Sequence, residues 1–320
     1  MPRKKEISVS IIIPAYGVNQ TEEGIKTLLK QNYKNKEIIL VNDNPEEEIN
    51  KRMRNFIKKN KINLINNPKN LGIAETINKG FKASKSDVVM MFCNDYLAVN
   101  KSWIKEVVDI LYADEKTAMV VSKMVWPKEA WSSCDFITKI FTIRHIENPQ
   151  YGGANFKRSI FSEIGYYNTK KYKYAGEDND LQQRIKQAGY TINQTDNLIK
   201  HLHYTKKGKF SSMLKKEFRY GEAHGAIKRN YGSKVRMGAF GFEIRTILLL
   251  GFLFGWLISP WISLASIAVF LLAAAYQGII FFKRTKWIPS IFFYPFVGTI
   301  ILITHTIGAV KGFIQGYESF

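Results

Sequence analysis

The chain has 320 residues, enough for one sizeable domain and an additional segment. Lys and Arg outnumber Asp and Glu by 47 to 27, and the formal net charge of +20 predicts a negatively charged partner: nucleic acid, anionic lipid or a phosphorylated substrate. Residues 246–282 contain no charged side chain, and a second apolar stretch covers residues 287–310. Because such runs are long enough to cross hydrocarbon, the basic excess is assigned to a membrane face and a nucleic-acid partner is not expected.

The first two-thirds of the chain alternates predicted strands with predicted helices. The strands are predicted at residues 9–14, 37–41, 62–65, 87–92 and 118–122, and the helices at residues 21–31, 46–60, 73–82 and 103–114. This alternation predicts an α/β fold with a mostly parallel sheet flanked by helices. Ligands of such sheets lie beyond the carboxyl ends of the strands. The polar residues there are Tyr16, Asp43, Asn94 and Asp95.

The region after the predicted strands contains a long irregular stretch and an acidic cluster. Residues 126–149 are predicted to form a functional loop because of their length, and a helix is predicted near residues 158–164. Glu177, Asp178 and Asp180 begin another predicted helix. Acidic residues stabilise the positive end of a helix dipole, but a general base also needs a carboxylate held close to its substrate.

The remaining chain is predicted to associate with a membrane. Residues 1–208 are expected to form a cytoplasmic domain, and residues 209–240 basic amphipathic helices at the membrane interface. Residues 241–320 are expected to hold two or three transmembrane helices, near residues 242–258, 261–282 and 287–310. The first six residues are polar and do not resemble the apolar core of a signal peptide, which predicts that the first domain is cytoplasmic. The basic loop 283–286 also favours the cytoplasm. The location predicted is therefore a multi-pass position in the cell membrane. The alternative is a buried helical domain.

Four blocks in order resemble those of the family 2 glycosyltransferases, whose catalytic domain has the GT-A fold. The blocks are residues 10–17, 37–43, 70–80 and 177–184, and the similarity extends over roughly residues 8–235. The resemblance implies a GT-A-type domain and a nucleotide-sugar-dependent enzyme of the hexosyltransferase type. It also implies a divalent cation, Mg²⁺ or Mn²⁺, that bridges the two phosphates of the donor.

The resemblance also implies roles for individual residues. Asp178, with Glu177, corresponds to the catalytic base. Binding of the nucleotide sugar is implied for Pro14, Tyr16, Asp43, Gly72, Asn78, Asn94 and Asp95. The acceptor side is implied for Gly152, Gly153, Ala154, Asn155, Asp180 and Arg184. The residues themselves leave alternatives open: an Asx turn at residues 42–45, simple packing for Tyr16 and a structural role for Asn78.

The metal site departs from the family pattern. The usual Asp-x-Asp is replaced here by a segment in which Asn94 and Tyr96 flank a single acid, Asp95. The ligands expected are Asp95 with His203, or with His201 as the alternative. Arg219 is a candidate contact for the donor phosphate, with lipid contact as its alternative. Other basic side chains near the site can take over part of the charge stabilisation.

The resulting hypothesis is a membrane-bound, inverting glycosyltransferase. It moves a sugar from a nucleotide-diphosphate sugar to a lipid-linked or polyprenyl-phosphate acceptor on the cytoplasmic face, and its further partners are membrane lipids. Self-association stays open. One alternative is a processive polysaccharide synthase of the same family, although the Gln-x-x-Arg-Trp motif of those enzymes is not found here. A non-catalytic sugar-nucleotide-binding scaffold and a nucleic-acid-binding membrane protein are the others.

Overall fold

The computed structural model describes residues 6–172, 175–202, 207–232 and 241–316. It divides into two compact units. Unit 1 comprises Met1–Pro127, Asn148–Thr169 and Asp180–Tyr204, and unit 2 comprises Lys128–Glu147, Lys170–Asn179 and Thr205–Phe320. Two segments that the sequence analysis assigned to the first domain, residues 128–147 and 170–179, therefore pack with the C-terminal helices.

Unit 1 is built on one sheet of eight strands. They are β1 (Val9–Ala15), β2 (Lys36–Asn42), β3 (Asn63–Asn66), β4 (Val88–Met91), β5 (Tyr96–Ala98), β6 (Thr117–Val125), β7 (Gln150–Lys157) and β8 (Thr191–His201). Their order is β3-β2-β1-β4-β7-β6-β8-β5. The first four strands are mutually parallel, as is the pair β6 and β8, whereas β7 is antiparallel to β4 and β6, and β5 to β8. The α/β class is confirmed, and the sheet is mixed.

The two faces of the sheet are both covered, which explains the continuous apolar sequence of β1. Its side chains alternate between two cores: Ile11 and Ile13 pack on one face, and Ile12 packs on the other. All seven residues of β1 are buried. On the second face, Gly80 of a helix lies against β1 so closely that a Cβ atom there would be 2.2 Å from Ile12 Cγ2.

The helices of unit 1 agree with the predicted positions apart from their ends. They are α1 (Glu22–Leu29), α2 (Lys51–Lys59), α3 (Ile73–Ala83), α4 (Trp103–Ala113) and α7 (Ile160–Ile164), and most of α8 (Glu177–Gln187). The helix α2 begins at Lys51, five residues later than predicted. The reason is an N-cap, since Asn50 Oδ1 accepts a hydrogen bond of 2.9 Å from the Met53 amide.

Unit 2 consists of helices. They are α5 (Lys128–Ser132), α6 (Phe136–Thr142), α9 (Phe210–Tyr231), α10 (Phe242–Phe254), α11 (Pro260–Thr285), α12 (Pro289–Phe292) and α13 (Tyr294–Gln315). Within the described residues, two of them are long and apolar enough to cross a membrane: α11 with a mean hydropathy of 2.1, and α13 with 1.6. The 13 residues of α10 span only about 20 Å, which is shorter than a hydrocarbon core.

The helices α9 and α13 meet along a row of glycines. On α9, a Cβ atom at Gly221 would lie 2.1 Å from the His305 carbonyl oxygen, and one at Gly225 would lie 1.9 Å from that of Ala309. Gly308 and Gly312 allow the same approach from α13. Small residues at four-residue spacing on both helices thus bring the two backbones into contact, as in tightly packed membrane helices. The helix predicted to be amphipathic and interfacial buries this face against an apolar helix.

Candidate functional site

Polar and aromatic side chains gather at the carboxyl edge of the parallel strands in unit 1. Tyr16 directly follows β1, and its ring is 61% exposed. Asp43 follows β2, and its amide donates a 2.8 Å hydrogen bond to the Ala15 carbonyl oxygen, which keeps the two strand ends together. The turn that holds Asp95 follows β4, the other neighbour of β1. Since parallel strands end at the same edge, the fold brings these three predicted residues to one side of the sheet.

The carboxylate of Asp43 is buried and holds the loop that precedes α3. Its Oδ1 accepts hydrogen bonds of 2.8 Å from the Leu71 amide and from Asn67 Nδ2, and its Oδ2 accepts one of 3.0 Å from the Gly72 amide. Gly72 has a φ of +81°, a conformation that favours glycine. The Asx turn left open by the sequence is made by the side chain of Asn42. A carboxylate oxygen has two lone pairs, so Asp43 Oδ2 can accept a further donor.

Two other residues implied in donor binding serve the scaffold in this structure. Asn78 is buried on α3, where its Nδ2 donates to the Tyr167 carbonyl oxygen at 2.9 Å and its Oδ1 accepts from the Tyr167 amide at 3.0 Å. Both ends of this side chain are therefore engaged by one backbone residue. Pro14 is buried within β1 and precedes the exposed Tyr16 by two positions.

Asp95 and His201 form a pair at the end of the sheet. Asp95 Oδ2 lies 3.0 Å from His201 Nε2, and the Asp95 carbonyl oxygen accepts a 2.9 Å hydrogen bond from the Leu202 amide. The imidazole is framed by Tyr96, edge-on at 5.1 Å, and by Trp126, stacked at 6.2 Å between centroids. His201, the alternative ligand of the sequence analysis, is thus the histidine seen next to Asp95. His203 lies outside the described residues.

The spacing of Asp95 and His201 fits two neighbouring ligand positions around a divalent cation. Neighbouring ligands of an octahedral ion, each about 2.1 Å from it and at right angles, lie about 3.0 Å apart. The Oδ2 to Nε2 separation has that value. Among the described residues there is no group of three His, Cys, Asp or Glu side chains that could hold a metal. The remaining ligands would have to be phosphate oxygens, water or an amide oxygen such as that of Asn94.

The residues implied on the acceptor side surround a bulge in β7. The pairing of β6 with β7 shifts between Val121 and Ser122, which face Ala154 and Gly152, so that Gly153 is the extra residue, with a φ of +66°. Ala154 and Asn155 are buried. Asn155 Nδ2 donates to the carbonyl oxygens of Gly153 at 2.7 Å and Val120 at 2.8 Å, and thereby fixes the bulge from inside the core.

Asp180, which is buried, and Arg184, which is partly buried, form an ion pair one turn apart on α8. The Asp180 Oδ2 to Arg184 Nε distance is 2.9 Å. Arg184 also donates to the carbonyl oxygens of Ile164 and, at 2.8 Å, of Tyr166, so it covers the C-terminal end of α7. The pair therefore attaches α8 to the end of α7 and fixes the direction in which the helix begins.

Glu177 and Asp178, in the first turn of α8, have different environments. Asp178 is exposed to solvent and accepts a 2.7 Å hydrogen bond from the Asn179 amide. Glu177 is largely buried, and burial together with the neighbouring Asp178 charge raises the pKa of its carboxyl to about 7. No described residue hydrogen-bonds to Glu177 Oε2. One acid of this pair is thus open to a ligand and the other is held close to neutrality.

Comparisons with known proteins agree with this architecture. Residues 10–165 match the family described as Glycosyl transferase family 2. Residues 10–165 are therefore a family 2 glycosyltransferase domain. A relative from Haloferax volcanii, named glucosyl-dolichyl phosphate glucuronosyltransferase, is 25% identical over 224 residues, which cover 65% of this chain and 70% of the relative. An uncharacterised glycosyltransferase from Haemophilus influenzae is 24% identical over 210 residues, covering 60% of this chain and 64% of its own length.

Solved structures share the GT-A-like fold of this glycosyltransferase. The mannosyltransferase PcManGT from Pyrobaculum calidifontis, in complex with GDP-Man and Mn²⁺, aligns with a TM-score of 0.58 and 16% identity over 98% of this chain and 88% of its own. GalNAc-T7 with UDP, GalNAc and Mn²⁺ aligns with a TM-score of 0.53 and 13% identity, over 72% of this chain and 49% of its own. The first alignment includes the C-terminal helices.

Unit 2 of the glycosyltransferase contains one predicted polar residue and several that were not predicted from the sequence. Arg219, the predicted phosphate contact, is half-buried on α9. On the same helix, Glu217 pairs with Arg144 at 2.5 Å, and His224 Nδ1 lies 2.9 Å from His305 Nε2 of α13. The sequence signal was a histidine inside an otherwise apolar helix, which is costly to bury without a partner.

Proposed function

We propose that this glycosyltransferase transfers a sugar from a nucleotide-diphosphate sugar to a lipid-linked or polyprenyl-phosphate acceptor at the cytoplasmic face of a membrane. The transfer inverts the configuration at the anomeric carbon. Donor binding is supported by the carboxyl edge of the parallel strands, where Tyr16, Asp43 and Asp95 follow β1, β2 and β4, and where Asp95 contacts His201 at the end of β8. The lipid acceptor is supported by the two apolar helices α11 and α13 and by the name of the Haloferax relative.

The donor is held through complementary contacts at this edge. The exposed ring of Tyr16 is available to stack on the nucleoside, and Asp43 Oδ2 can accept a hydrogen bond from the base or the ribose. Asp95 and His201 would hold the divalent cation, which, when bound, neutralises the negative charge that develops on the leaving diphosphate. The 3.0 Å hydrogen bond between His201 Nε2 and Asp95 Oδ2 holds the two side chains next to each other before the cation binds.

The different environments of Glu177 and Asp178 support Asp178 as the residue that takes part in proton transfer. Glu177 is protonated below about pH 7, because ionisation of a buried carboxyl next to a second carboxylate is unfavourable. The exposed Asp178 accepts the proton of an acceptor hydroxyl while the oxygen forms its bond to the anomeric carbon and the bond to the diphosphate breaks. If the acceptor is a lipid phosphate, its oxygen is already ionised and Asp178 orients it.

A binding screen followed by a transfer assay tests this function. The purified chain in detergent is heated with individual nucleotide sugars, with Mn²⁺ or Mg²⁺ and with EDTA. A ligand that binds only the folded chain increases its free energy of unfolding by about 3 kcal/mol at a concentration of 100 times its Kd. The melting temperature rises as a consequence. The donor found in this way is then incubated with polyprenyl phosphate. The proposal predicts a cation-dependent shift and one glycosylated lipid, and a screen in which no nucleotide sugar shifts the melting temperature contradicts it.

The length of the product separates a single transfer from the processive alternative. Only two helices in the described part of the chain are long and apolar enough to cross a membrane, which favours a single transfer over extrusion of a polymer through a channel. Mass spectrometry of the lipid product should therefore give one added sugar at every time point. A ladder of masses that grows with time would indicate a synthase.

A further inference from the structure

A hydrogen-bond chain in unit 2 fixes the protonation pattern of two histidines. Arg245 of α10 donates from Nη2 to His305 Nδ1 at 3.2 Å, and His305 Nε2 lies 2.9 Å from His224 Nδ1. A guanidinium can only donate, so His305 Nδ1 accepts, and the proton of a neutral His305 is on Nε2. His305 then donates to His224 Nδ1. The proton of a neutral His224 is therefore on Nε2, at the end of the chain.

The direction of this chain is secured by its first member. Arg245 is buried and also donates from Nε to Thr306 Oγ1 at 3.1 Å and from Nη2 to the Leu302 carbonyl oxygen at 3.1 Å. The guanidinium is thus attached to two successive turns of α13 around His305. Because its orientation is fixed, the acceptor atom of His305 is fixed too.

The segment that carries Glu177 and Asp178 packs on α9 against Ala223, the residue that precedes His224. Gly176 has a φ of +90°, and a Cβ atom there would lie 2.9 Å from Ala223 Cβ. Tyr172 and Ala175, from the same segment, are buried against Ala223, Ala226 and Ile227. Tyr172 also accepts a 2.9 Å hydrogen bond at its hydroxyl from Asn230 Nδ2. The start of α8 is thereby held against the turn of α9 that contains His224.

The charges around His224 agree with this arrangement. Burial lowers the pKa of its imidazole, and the Asp178 carboxylate acts against that effect. Arg245 and Arg144 lower this pKa further, whereas Glu217 raises it. The imidazole is consequently neutral near pH 7, and its Nε2 hydrogen is available as a donor. The effect of the Asp178 charge on this pKa indicates that the two side chains are near each other.

We propose that His224 is a positioning residue for the Asp178 carboxylate, on which its Nε2–H acts through one water, and that Arg245 and His305 set the tautomer which makes this possible. The inference rests on the proposed function, in which Asp178 accepts or orients the acceptor oxygen. It links the reacting carboxylate to the apolar helix α13 and to α10, which carry His305 and Arg245.

Replacements of the two histidines test the role of the His224 Nε2–H donor separately from the hydrogen bond between His224 and His305. His224→Asn keeps an acceptor for His305 and loses the distant donor, whereas the longer amide of His224→Gln can place an N–H near the original Nε2. We expect kcat to fall about 10-fold to 100-fold in His224→Asn, with KM for the nucleotide sugar unchanged, and largely to recover in His224→Gln. The kcat of His305→Gln, which retains a donor to His224, should likewise be higher than the kcat of His305→Leu. Ser212→Ala, exposed on the same helix, is the control and should leave kcat unchanged.

A titration that does not depend on activity tests the position of His224 in the full chain. In ¹⁵N-histidine-labelled protein in micelles, His224 should show the Nε2-protonated tautomer. Asp178→Asn removes an exposed charge without disturbing the core and should lower the pKa of His224 measurably. An unchanged titration in Asp178→Asn, or a His224→Asn enzyme with wild-type kcat and pH profile, overturns the inference. A wild-type chain without transfer activity would instead contradict the proposed function, and the titration would still decide where His224 acts.

Discussion

Replacing Glu177 by Gln should stabilise the protein at alkaline pH and leave it almost unchanged at acidic pH. The pKa of this carboxyl is about 7 in the folded chain, against a usual value of 4.5. Between these values the folded state binds more protons than the unfolded state, so the wild type loses stability as the pH rises through this window. At 1.36 kcal/mol for each pH unit, the loss is complete above pH 7 and amounts to about 3 kcal/mol. Gln has the same shape and does not ionise.

Thermal and denaturant unfolding of the full chain in detergent measure this difference. The free energy of unfolding of Glu177→Gln minus that of the wild type should be near zero at pH 4.5 and increase to about 3 kcal/mol at pH 8, which corresponds to roughly 5–10 °C in Tm. Glu23→Gln is the matched control, because Glu23 is an exposed carboxylate and its replacement removes a charge of the same kind without changing a buried site. If the difference for Glu177→Gln did not vary with pH, or were largest at acidic pH, the raised pKa of the Glu177 carboxyl would be refuted.

Three further predictions concern the donor edge and the helix contact. Tyr16→Ala should weaken nucleotide-sugar binding by about 1 kcal/mol, measured by calorimetry, without lowering Tm, because the ring is largely exposed; an unchanged Kd would exclude stacking. His201→Ala should reduce Mn²⁺ affinity about 10-fold to 100-fold in a spectroscopic titration with donor present, while His145→Ala, a histidine of unit 2, should not. Gly225→Val should lower Tm strongly, because its Cβ would meet the Ala309 carbonyl oxygen at 1.9 Å, and a Tm equal to wild type would refute the contact of α9 with α13.

The parallel half of the sheet could be predicted because its signals are local. The apolar run of residues 11–15 in β1 indicates burial on both faces, and Asp43 lies two positions after the next such run, residues 38–41 in β2. The strand β7 could not be predicted in the same way, because Gly152 and Gly153 interrupt its alternation at a bulge that only the pairing with β6 defines. The same limit applies to helix ends, where the side chain of Asn50 decides the first residue of α2.

The candidate site was predictable as a set of residues but not as a set of environments. The acidic block indicated Glu177 and Asp178 together, and only the packing of residues 170–179 distinguishes a buried acid from an exposed one. Asp180 and Arg184 belong to the same block, yet Asp180 pairs with Arg184, which in turn donates to backbone carbonyl groups at the end of α7. The contact between His224 and His305 joins residues 81 positions apart, for which no spacing in the sequence gives a signal.

The rate of sugar transfer by Asp178→Asn tests the central claim most directly. The full chain is assayed in detergent with its nucleotide-diphosphate sugar, a divalent cation and a lipid acceptor that carries a hydroxyl nucleophile, and donor binding is measured in parallel by calorimetry. Loss of the proton acceptor should reduce kcat by about two to four orders of magnitude and leave donor affinity nearly unchanged. A variant that transfers sugar at the wild-type rate would show that the carboxylate at position 178 does not take the proton.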